Sequence, residues 1–393
     1  MTNRVVIIGA GQAAAQLALS LRQGGLAGEV RIVGDEPYAP YQRPPLSKKF
    51  LHERPPPDSL FFRPERFWRD QGAELMLGVA VGAIDRPRQQ VVLGDGRELG
   101  YDALVLATGT RARDLAVPGA DLGGVFSLRK IDDVLALRPA LDDARHVVIV
   151  GAGYIGLEVA AVMREEGRDV TVLEAEDRVL KRVTSPVMST FFDELHRGRG
   201  VAIRLSARLA ALAGNGRVAG VRLADGETLP ADIVLVAVGA RPNDDLAAAA
   251  DLACADGVVV DAFARTADPA IYAAGDCSCF PSRRYGRRLR LECVQNAIDQ
   301  AKAVAAAILG QPVAYDPVPW FWSDQYEIKL QMAGLSGGYD AAESVGDVAR
   351  ARFSVEYRSD GRLIAVDAIN DGRAYMSGRR RIAQETEAAS RQS

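Results

Sequence analysis

The chain has 393 residues, 48% hydrophobic and 25% charged, the composition of an ordinary globular protein long enough for about two to three domains. A formal charge of −3 argues against general affinity for nucleic acid or anionic membrane, since both need a dominant basic surface. No segment approaches the roughly 18 uninterrupted apolar residues of a membrane span, and the first apolar run, from Val5, is too early and too short for a secretory signal, so a cytoplasmic protein is expected. The four cysteines (Cys254, Cys277, Cys279, Cys293) and three histidines (His52, His146, His196) lack disulfide or metal-ligand spacing; reduced thiols and no structural metal are expected.

In chain order, residues 4–22 (RVVIIGAGQAAAQLALSLR) read as a buried strand, a glycine turn and a helix, and residues 29–36 (EVRIVGDE) as a second strand ending in acid. Residues 40–51 (PYQRPPLSKKFL) follow, and no cysteine occurs between 36 and 60. A strand ending at a glycine comes at 101–113 (YDALVLATGTRAR). The same order then returns at 146–160 (HVVIVGAGYIGLEVA), 169–176 (DVTVLEAE) and 231–243 (ADIVLVAVGARPN), so the chain reads as internally duplicated. Beyond the repeat, TADPAIYAAGD (266–276) is a strand followed by glycine and acid, SRRYGRRLR (282–290) carries five arginines in nine residues, and LECVQNAIDQAKAVAAAIL (291–309) has an alanine-rich helical pattern. PWFWSDQ (319–325), ARFSVEYR (351–358) and RLIAVDAIN (362–370) read as strands of a small antiparallel sheet, and the polar end GRRRIAQETEAASRQS (378–393) is expected to fray.

Each copy of Gly-x-Gly-x-x-Gly/Ala follows an apolar strand, opens a helix and has an acid about 20 residues on, the context a dinucleotide fingerprint requires. Gly9 and Gly151 make the tight turn, Gly11 and Gly153 admit a pyrophosphate against bare backbone at a helix N-terminus, and Ala14 and Gly156 allow close helix–strand packing. Asp35 or Glu36 in the first copy and Glu174 in the second stand where a carboxylate accepts from ribose hydroxyls. A carboxylate repels a 2′-phosphate, so Glu174 favours NADH over NADPH, although Arg178, Lys181 and Arg182 lie just downstream.

The order of two fingerprints and a closing Gly275–Asp276 resembles the two-dinucleotide-binding flavoprotein superfamily. The resemblance implies an α/β fold with two Rossmann-like, glutathione-reductase-like domains plus a small C-terminal α+β domain. Asp276 would meet a ribityl hydroxyl of FAD and Gly275 let the backbone come close. One FAD served by the first fingerprint and the closing motif implies a discontinuous FAD domain (1–112 and 244–315), an inserted NAD domain (113–243) and a C-terminal domain (316–393). The helix read over 291–309 would aim its positive N-terminal end at the flavin.

Disulfide reductases of this superfamily place a cysteine pair soon after the first acid, and peroxidase or oxidase relatives a single cysteine. Their absence here excludes a dithiol relay and disfavours an NADH oxidase. The segment PYQRPPLSKKFL, together with GAGYIGLEVA, AAGDC, QNAIDQAK and PWFWSDQ, resembles the bacterial oxygenase-coupled NADH–ferredoxin reductase family over nearly the whole chain to about residue 370. That resemblance implies an FAD-dependent enzyme passing electrons from NADH singly to a [2Fe–2S] ferredoxin that serves a cytochrome P450 or Rieske-type oxygenase. Lys48 would lie beside flavin N5 and Glu158 near the nicotinamide, the two pairing by charge as the catalytic residues. Further FAD contacts are implied for Arg43, Thr108, Gly109, Arg111, Arg129, Val294 and Trp322, and NAD contacts for Tyr154, Ile155 and Gly239. Arg283, Arg284, Arg287 and Arg288 form a candidate docking patch for an acidic ferredoxin, with Trp320 on the docking side, and a monomer or weak homodimer is expected. Two other readings share these motifs: an NADH–rubredoxin reductase, and an apoptosis-inducing-factor-like flavoprotein in which NADH changes shape and partners.

Overall fold

The computed structural model describes residues 2–390. Two stretches of unbroken β-branched residues, Val5–Ile8 and Val147–Val150, are buried along their whole length, as central strands of a helix-covered parallel sheet must be. Each is the middle strand of a five-stranded parallel sheet. In the first, the order is Ile271–Ala273, Ala103–Leu106, Arg4–Ile8, Glu29–Gly34, Ala73–Leu77. In the second it is Val125–Ser127, Ile233–Val236, His146–Val150, Asp169–Leu173, Ala202–Arg204.

The duplication extends to residue register. Arg4 lies opposite Glu29 and Ile8 opposite Val33, as His146 lies opposite Asp169 and Val150 opposite Leu173. On the other side, Val5–Ile8 pairs with Ala103–Leu106 as Val147–Val150 pairs with Ile233–Val236. The outermost strand on that side breaks the symmetry: it follows the duplicated segment in one sheet and precedes it in the other.

The chain divides into two compact units. One holds the chain up to Gln42, Pro56–Arg111 and Arg241–Pro319; the other holds Arg43–Pro55, Ala112–Ala240 and everything from Trp320 on. In the first unit, helices Gln12–Gln23 and Val294–Ile308 share a core with the sheet. Alanines at 13, 14, 297 and 301 bring these helices close, and Leu17, Leu21, Val105 and Val304 fill the space around them.

In the second unit, an antiparallel sheet of Leu209–Asn215, Arg217–Leu223 and Thr228–Pro230 contributes to the core beneath the parallel sheet. The chain from Trp320 forms a five-stranded antiparallel sheet ordered Trp320–Gln325, Ile328–Gly334, Arg362–Ile369, Arg352–Ser359, Ala341–Asp347. The polar end expected to fray is instead helical within Gly372–Ser390, with residues 391–393 outside the described part. Tyr375 and Ile382 are buried against the sheet, Gly378 approaches Val366 so closely that a Cβ would sit 2.5 Å from it, and Arg381 forks onto Glu356.

The segment Arg43–Pro55 is held in the second unit by helix Ile131–Asp142. Arg138 lies over the Phe50 ring at 4.1 Å and donates to the Phe50 and Pro55 carbonyls, and Arg54 pairs with Asp142 at 2.6 Å. The molecule is thus an α/β protein with two Rossmann-type sheets and a smaller α+β C-terminal part.

Candidate functional site

In the first unit, four sequence motifs end four neighbouring parallel strands, so all lie along one carboxyl edge. The Gly9–Gly11 turn follows Arg4–Ile8, Asp35 and Glu36 follow Glu29–Gly34, Thr108 and Gly109 follow Ala103–Leu106, and Gly275–Asp276 follow Ile271–Ala273. This edge, where connections leave the central strand in opposite directions, is where open α/β sheets bind ligands.

Each glycine has a distinct reason. Gly9 has φ +105° and a Cβ there would fall 2.2 Å from the Ala107 carbonyl oxygen, so close packing demands it. At Gly11, by contrast, a Cβ meets nothing within 4 Å; bare backbone faces open space. Gly11 also caps helix Gln12–Gln23 with no side-chain bond and no acid in the first turn, leaving N–H groups and a positive helix end for an anion. Gly275 has φ +82° and its missing side chain would touch Ala13 of that same helix at 3.3 Å. Ala14 is wholly buried. These features fit the pyrophosphate of a dinucleotide.

Of the two acids after the second strand, Glu36 is buried, accepting from Tyr41 Oη at 2.7 Å, while Asp35 is exposed. Asn243, which sequence reasoning missed, clasps the turn after the fourth motif's neighbour: it donates to the Thr108 carbonyl at 2.8 Å, and its own carbonyl accepts Thr108 Oγ1 at 2.7 Å. Arg111 reaches the Asn243 side chain at 2.7 Å and Asp245 at 2.7 Å. Gln300, also missed, accepts from the Gly275 N–H at 2.9 Å and Ser278 Oγ at 2.7 Å, pinning the closing motif to helix Val294–Ile308. Asp276 and Val294 are half-buried, the latter opening that helix. Cys293 caps it, accepting from the Asn296 N–H at 3.4 Å; burial pushes its thiol up to about 12, and all four cysteines are free.

The second unit repeats the cradle. Gly151 has φ +107° with a virtual Cβ 2.4 Å from the Ala237 oxygen, Gly153 faces open space, and Gly156 lies so close to the turn that a Cβ would be 2.1 Å from the Gly151 oxygen. Helix Tyr154–Glu165 again begins without a side-chain cap or acid in its first turn. Tyr154 donates to Met332 Sδ at 2.8 Å, whereas Ile155 is exposed. Glu174 accepts from the Ala152 and Glu176 N–H groups at 2.8 and 3.0 Å, which sets its carboxylate beside the glycine turn. Gly239, at φ +101°, accepts from the Arg113 N–H at 3.0 Å.

Lys48 and Glu158, 110 positions apart in sequence, form an ion pair at 2.6 Å. Glu158 is 4% exposed and also accepts from Ser47 at 2.5 Å and Ser323 at 2.7 Å. Helix Tyr154–Glu165 supplies the acid and the short turn Pro44–Ser47 positions the lysine. Arg43 donates to the Arg129 carbonyl at 2.7 Å, bringing those two residues together. Trp320 and Trp322 are half-buried with ring centroids 5.8 Å apart. Ser47 and Ser323 went unnoticed in sequence, though a serine between Trp322 and Asp324 in an aromatic strand was the available signal.

Among the arginines of 282–290, Arg288 donates to the Val260 and Cys279 carbonyls at 2.8 and 3.0 Å, and Arg290 pairs with Asp256 and Glu292 at 3.2 and 2.5 Å. The Arg284 backbone is held by Asp316, while Arg283, Arg287 and Arg288 are exposed. Among the described residues, no group of three or more His, Cys, Asp or Glu is arranged to hold a metal, and no helix is long and apolar enough to cross a membrane.

Comparison with known proteins agrees with this architecture. Residues 3–301 match the pyridine nucleotide-disulphide oxidoreductase family, and residues 320–393 match the reductase C-terminal family. The rhodocoxin reductase of Rhodococcus erythropolis is 46% identical over 97% of this chain and 90% of its own length. A ferredoxin–NAD(P)(+) reductase from Sphingomonas sp is 45% identical over 96% and 92%. The crystal structure of the ferredoxin reductase for the CYP199A2 system from Rhodopseudomonas palustris superposes with a TM-score of 0.94 at 45% identity, covering 96% of this chain and 93% of that one. With two nucleotide cradles of one design and family matches over both parts of its length, this chain is an FAD- and NAD(P)H-using oxidoreductase belonging to the pyridine nucleotide-disulphide oxidoreductase family.

Proposed function

We propose that this protein takes electrons from NADH and passes them, through FAD, singly to a [2Fe–2S] ferredoxin serving a cytochrome P450 or Rieske-type oxygenase. The observation that carries the reading is the ion pair between half-buried Lys48, on a segment without cysteine, and the buried Glu158 carboxylate. A disulfide reductase needs thiols there. When bound, FAD supplies the conversion between a two-electron hydride donor and a one-electron acceptor.

The chain's own residues do the rest. Gly9, Gly11 and the helix beginning at Gln12 hold the FAD pyrophosphate, Glu36 takes the ribose hydroxyls, and Gly275 and Asp276 meet the ribityl chain. Thr108, Gly109, Arg111, Val294, Arg43, Arg129 and Trp322 complete the flavin's contacts. Gly151, Gly153 and Gly156 hold the NADH pyrophosphate, with Tyr154, Ile155 and Gly239 lining the same nucleotide. Glu158 orients the nicotinamide, and the Lys48 ammonium compensates negative charge arriving on the hydride acceptor. The functional domains are 1–112 with 244–315 for FAD, 113–243 for NAD and 316–393 at the C-terminus.

NADH is favoured over NADPH by Glu174 and by how two of the three nearby cations, Arg178 and Lys181, are occupied. Lys181 pairs with Glu176 and Asp177 at 2.8 and 3.2 Å, and Arg178 donates to Thr184 O, Ser189 Oγ and Lys181 O. The carrier docks near Arg283, Arg284, Arg287, Arg288 and Trp320; Arg283 and Arg287 are exposed, and Arg288, also exposed, spends donors on the Val260 and Cys279 carbonyls. The protein works in the cytoplasm as a monomer or weak homodimer.

The test is steady-state turnover with NADH and, separately, a [2Fe–2S] ferredoxin from the same cell, a rubredoxin, or air alone. Fast reduction of the ferredoxin is expected. Preference for rubredoxin would move the protein to the rubredoxin reductases, and slow turnover with every carrier would favour a signalling flavoprotein.

A further inference from the structure

A carboxylate as buried as Glu158 persists in ionised form only if its lone pairs are satisfied. Lys48 and Ser47 serve Oε2, and among the described residues Ser323 alone serves Oε1. Behind Ser323 stands a further pair: Gln325 Nε2 is 3.2 Å from Ser323 Oγ, and Gln325 Oε1 is 2.8 Å from His196 Nε2. Ser323 and Gln325 are two apart on strand Trp320–Gln325 and so face the same way. His196 comes from the last turn of helix Pro186–Gly198, and all three side chains are at most 1% exposed.

The proton positions follow by elimination. An ionised carboxylate only accepts, so the single Ser323 hydroxyl proton is committed to Glu158. Gln325 must then donate its amide N–H to Ser323, which leaves its carbonyl facing His196, and the imidazole must carry its proton on Nε2. Nδ1 is buried without a hydrogen-bond partner among the described residues, and burial lowers the ring's pKa, consistent with a neutral imidazole. All three bonds therefore donate in one direction, from His196 through Gln325 and Ser323 to Glu158, each polarising the next.

We propose that Ser323, aimed by Gln325 and His196, is a positioning residue for hydride transfer, fixing the Glu158 carboxylate in the orientation that engages Lys48. This rests on the reading of Lys48 and Glu158 as the hydride-transfer pair. Because every group in the chain behind Glu158 is neutral, the array aims the carboxylate without competing with Lys48 for its charge.

Two measurements on the FAD-loaded protein test the proposal. The first is the rate of flavin bleaching by saturating NADH, with the NADH dissociation constant, in Ser323→Ala, Ser323→Thr, Gln325→Leu and the Ala/Leu double variant. Ser323→Ala should slow bleaching about tenfold, the effect of losing one hydrogen bond to a charged group, with NADH affinity unchanged. Ser323→Thr should restore it, and the double variant should be no slower than Ser323→Ala, because both changes act through one hydroxyl. The second is ¹⁵N NMR of the three histidines, where His196 should be a neutral Nε2–H tautomer. Unchanged bleaching in Ser323→Ala, multiplicative losses in the double variant, or an Nδ1–H or doubly protonated His196 would overturn the proposal. If wild-type protein is not bleached by NADH, the hydride-transfer reading fails, while the tautomer still tests the array.

Discussion

Two buried carboxylates in the second unit are held in opposite ways. Glu158 has a lysine at 2.6 Å, whereas Asp367, 3% exposed, takes bonds from the Tyr357 hydroxyl at 2.6 Å and Thr184 Oγ1 at 2.7 Å. Hydroxyls offset burial less well than a cation does, and the Asp367 carboxyl is pushed up to about 6. The native state therefore binds more protons than the unfolded chain between about pH 4 and pH 6, so this residue's contribution to stability is complete below pH 4 and is lost as the pH rises through 6. Asp367→Asn should gain on the order of 2 kcal/mol relative to wild type between pH 4 and pH 7. Denaturant unfolding of both proteins across that range measures it; a constant difference would contradict the assignment. At this scale the sequence displayed Lys48 and Glu158 because each sits in a recognisable motif. Asp367, Ser323, Gln325 and His196 were hidden, because a polar residue in a strand or helix looks solvent-facing until its partner, here up to 183 positions away, is known.

At the scale of elements, the paired fingerprints separate packing from binding. Gly9→Ala forces a Cβ against the Ala107 carbonyl at positive φ and should destabilise the fold by several kcal/mol. A Cβ at Gly11 or Gly153 meets no protein atom. Gly11→Val should fold yet lose FAD, and Gly153→Val should keep FAD and raise the KM for NADH at least tenfold by excluding its pyrophosphate. Flavin content of purified protein and NADH kinetics check both; FAD retention in Gly11→Val would contradict the site. These elements were legible because a strand, glycine turn and helix have local signatures that packing cannot disguise. Helix Gly372–Ser390 was misread because its buried face rests on few residues: Tyr375, Gly378 and Ile382 lie three and four apart, and one of them is a glycine. Helix Ile131–Asp142, which anchors Phe50 through Arg138, went unread for want of any motif.

Over the whole molecule, a net charge of −3 does not draw an acidic carrier, so attraction has to be local. Five arginines in 282–290 suggested a broad patch, but the fold commits Arg288 and Arg290 to internal partners. Charge reversal at Arg283 and Arg287 should lower the association rate with a [2Fe–2S] ferredoxin at least tenfold at low salt and leave flavin bleaching by NADH untouched. An equal loss for Arg288→Ala alone, with folding intact, would contradict a docking contribution centred on Arg283 and Arg287. The chain's path was only partly legible: the duplication and the return at 266–276 implied a discontinuous first domain, whereas the packing of Arg43–Pro55 into the other unit depends on Arg54, Lys48 and Phe50 meeting partners more than 80 residues on. The central claim is tested most directly by anaerobic stopped-flow absorbance of the FAD-loaded protein mixed with NADH and then with a [2Fe–2S] ferredoxin. Rapid flavin bleaching, slowed by deuterium at the nicotinamide C4, followed by reduction of about two ferredoxins per NADH is the predicted result; a flavin that NADH leaves oxidised would contradict the account.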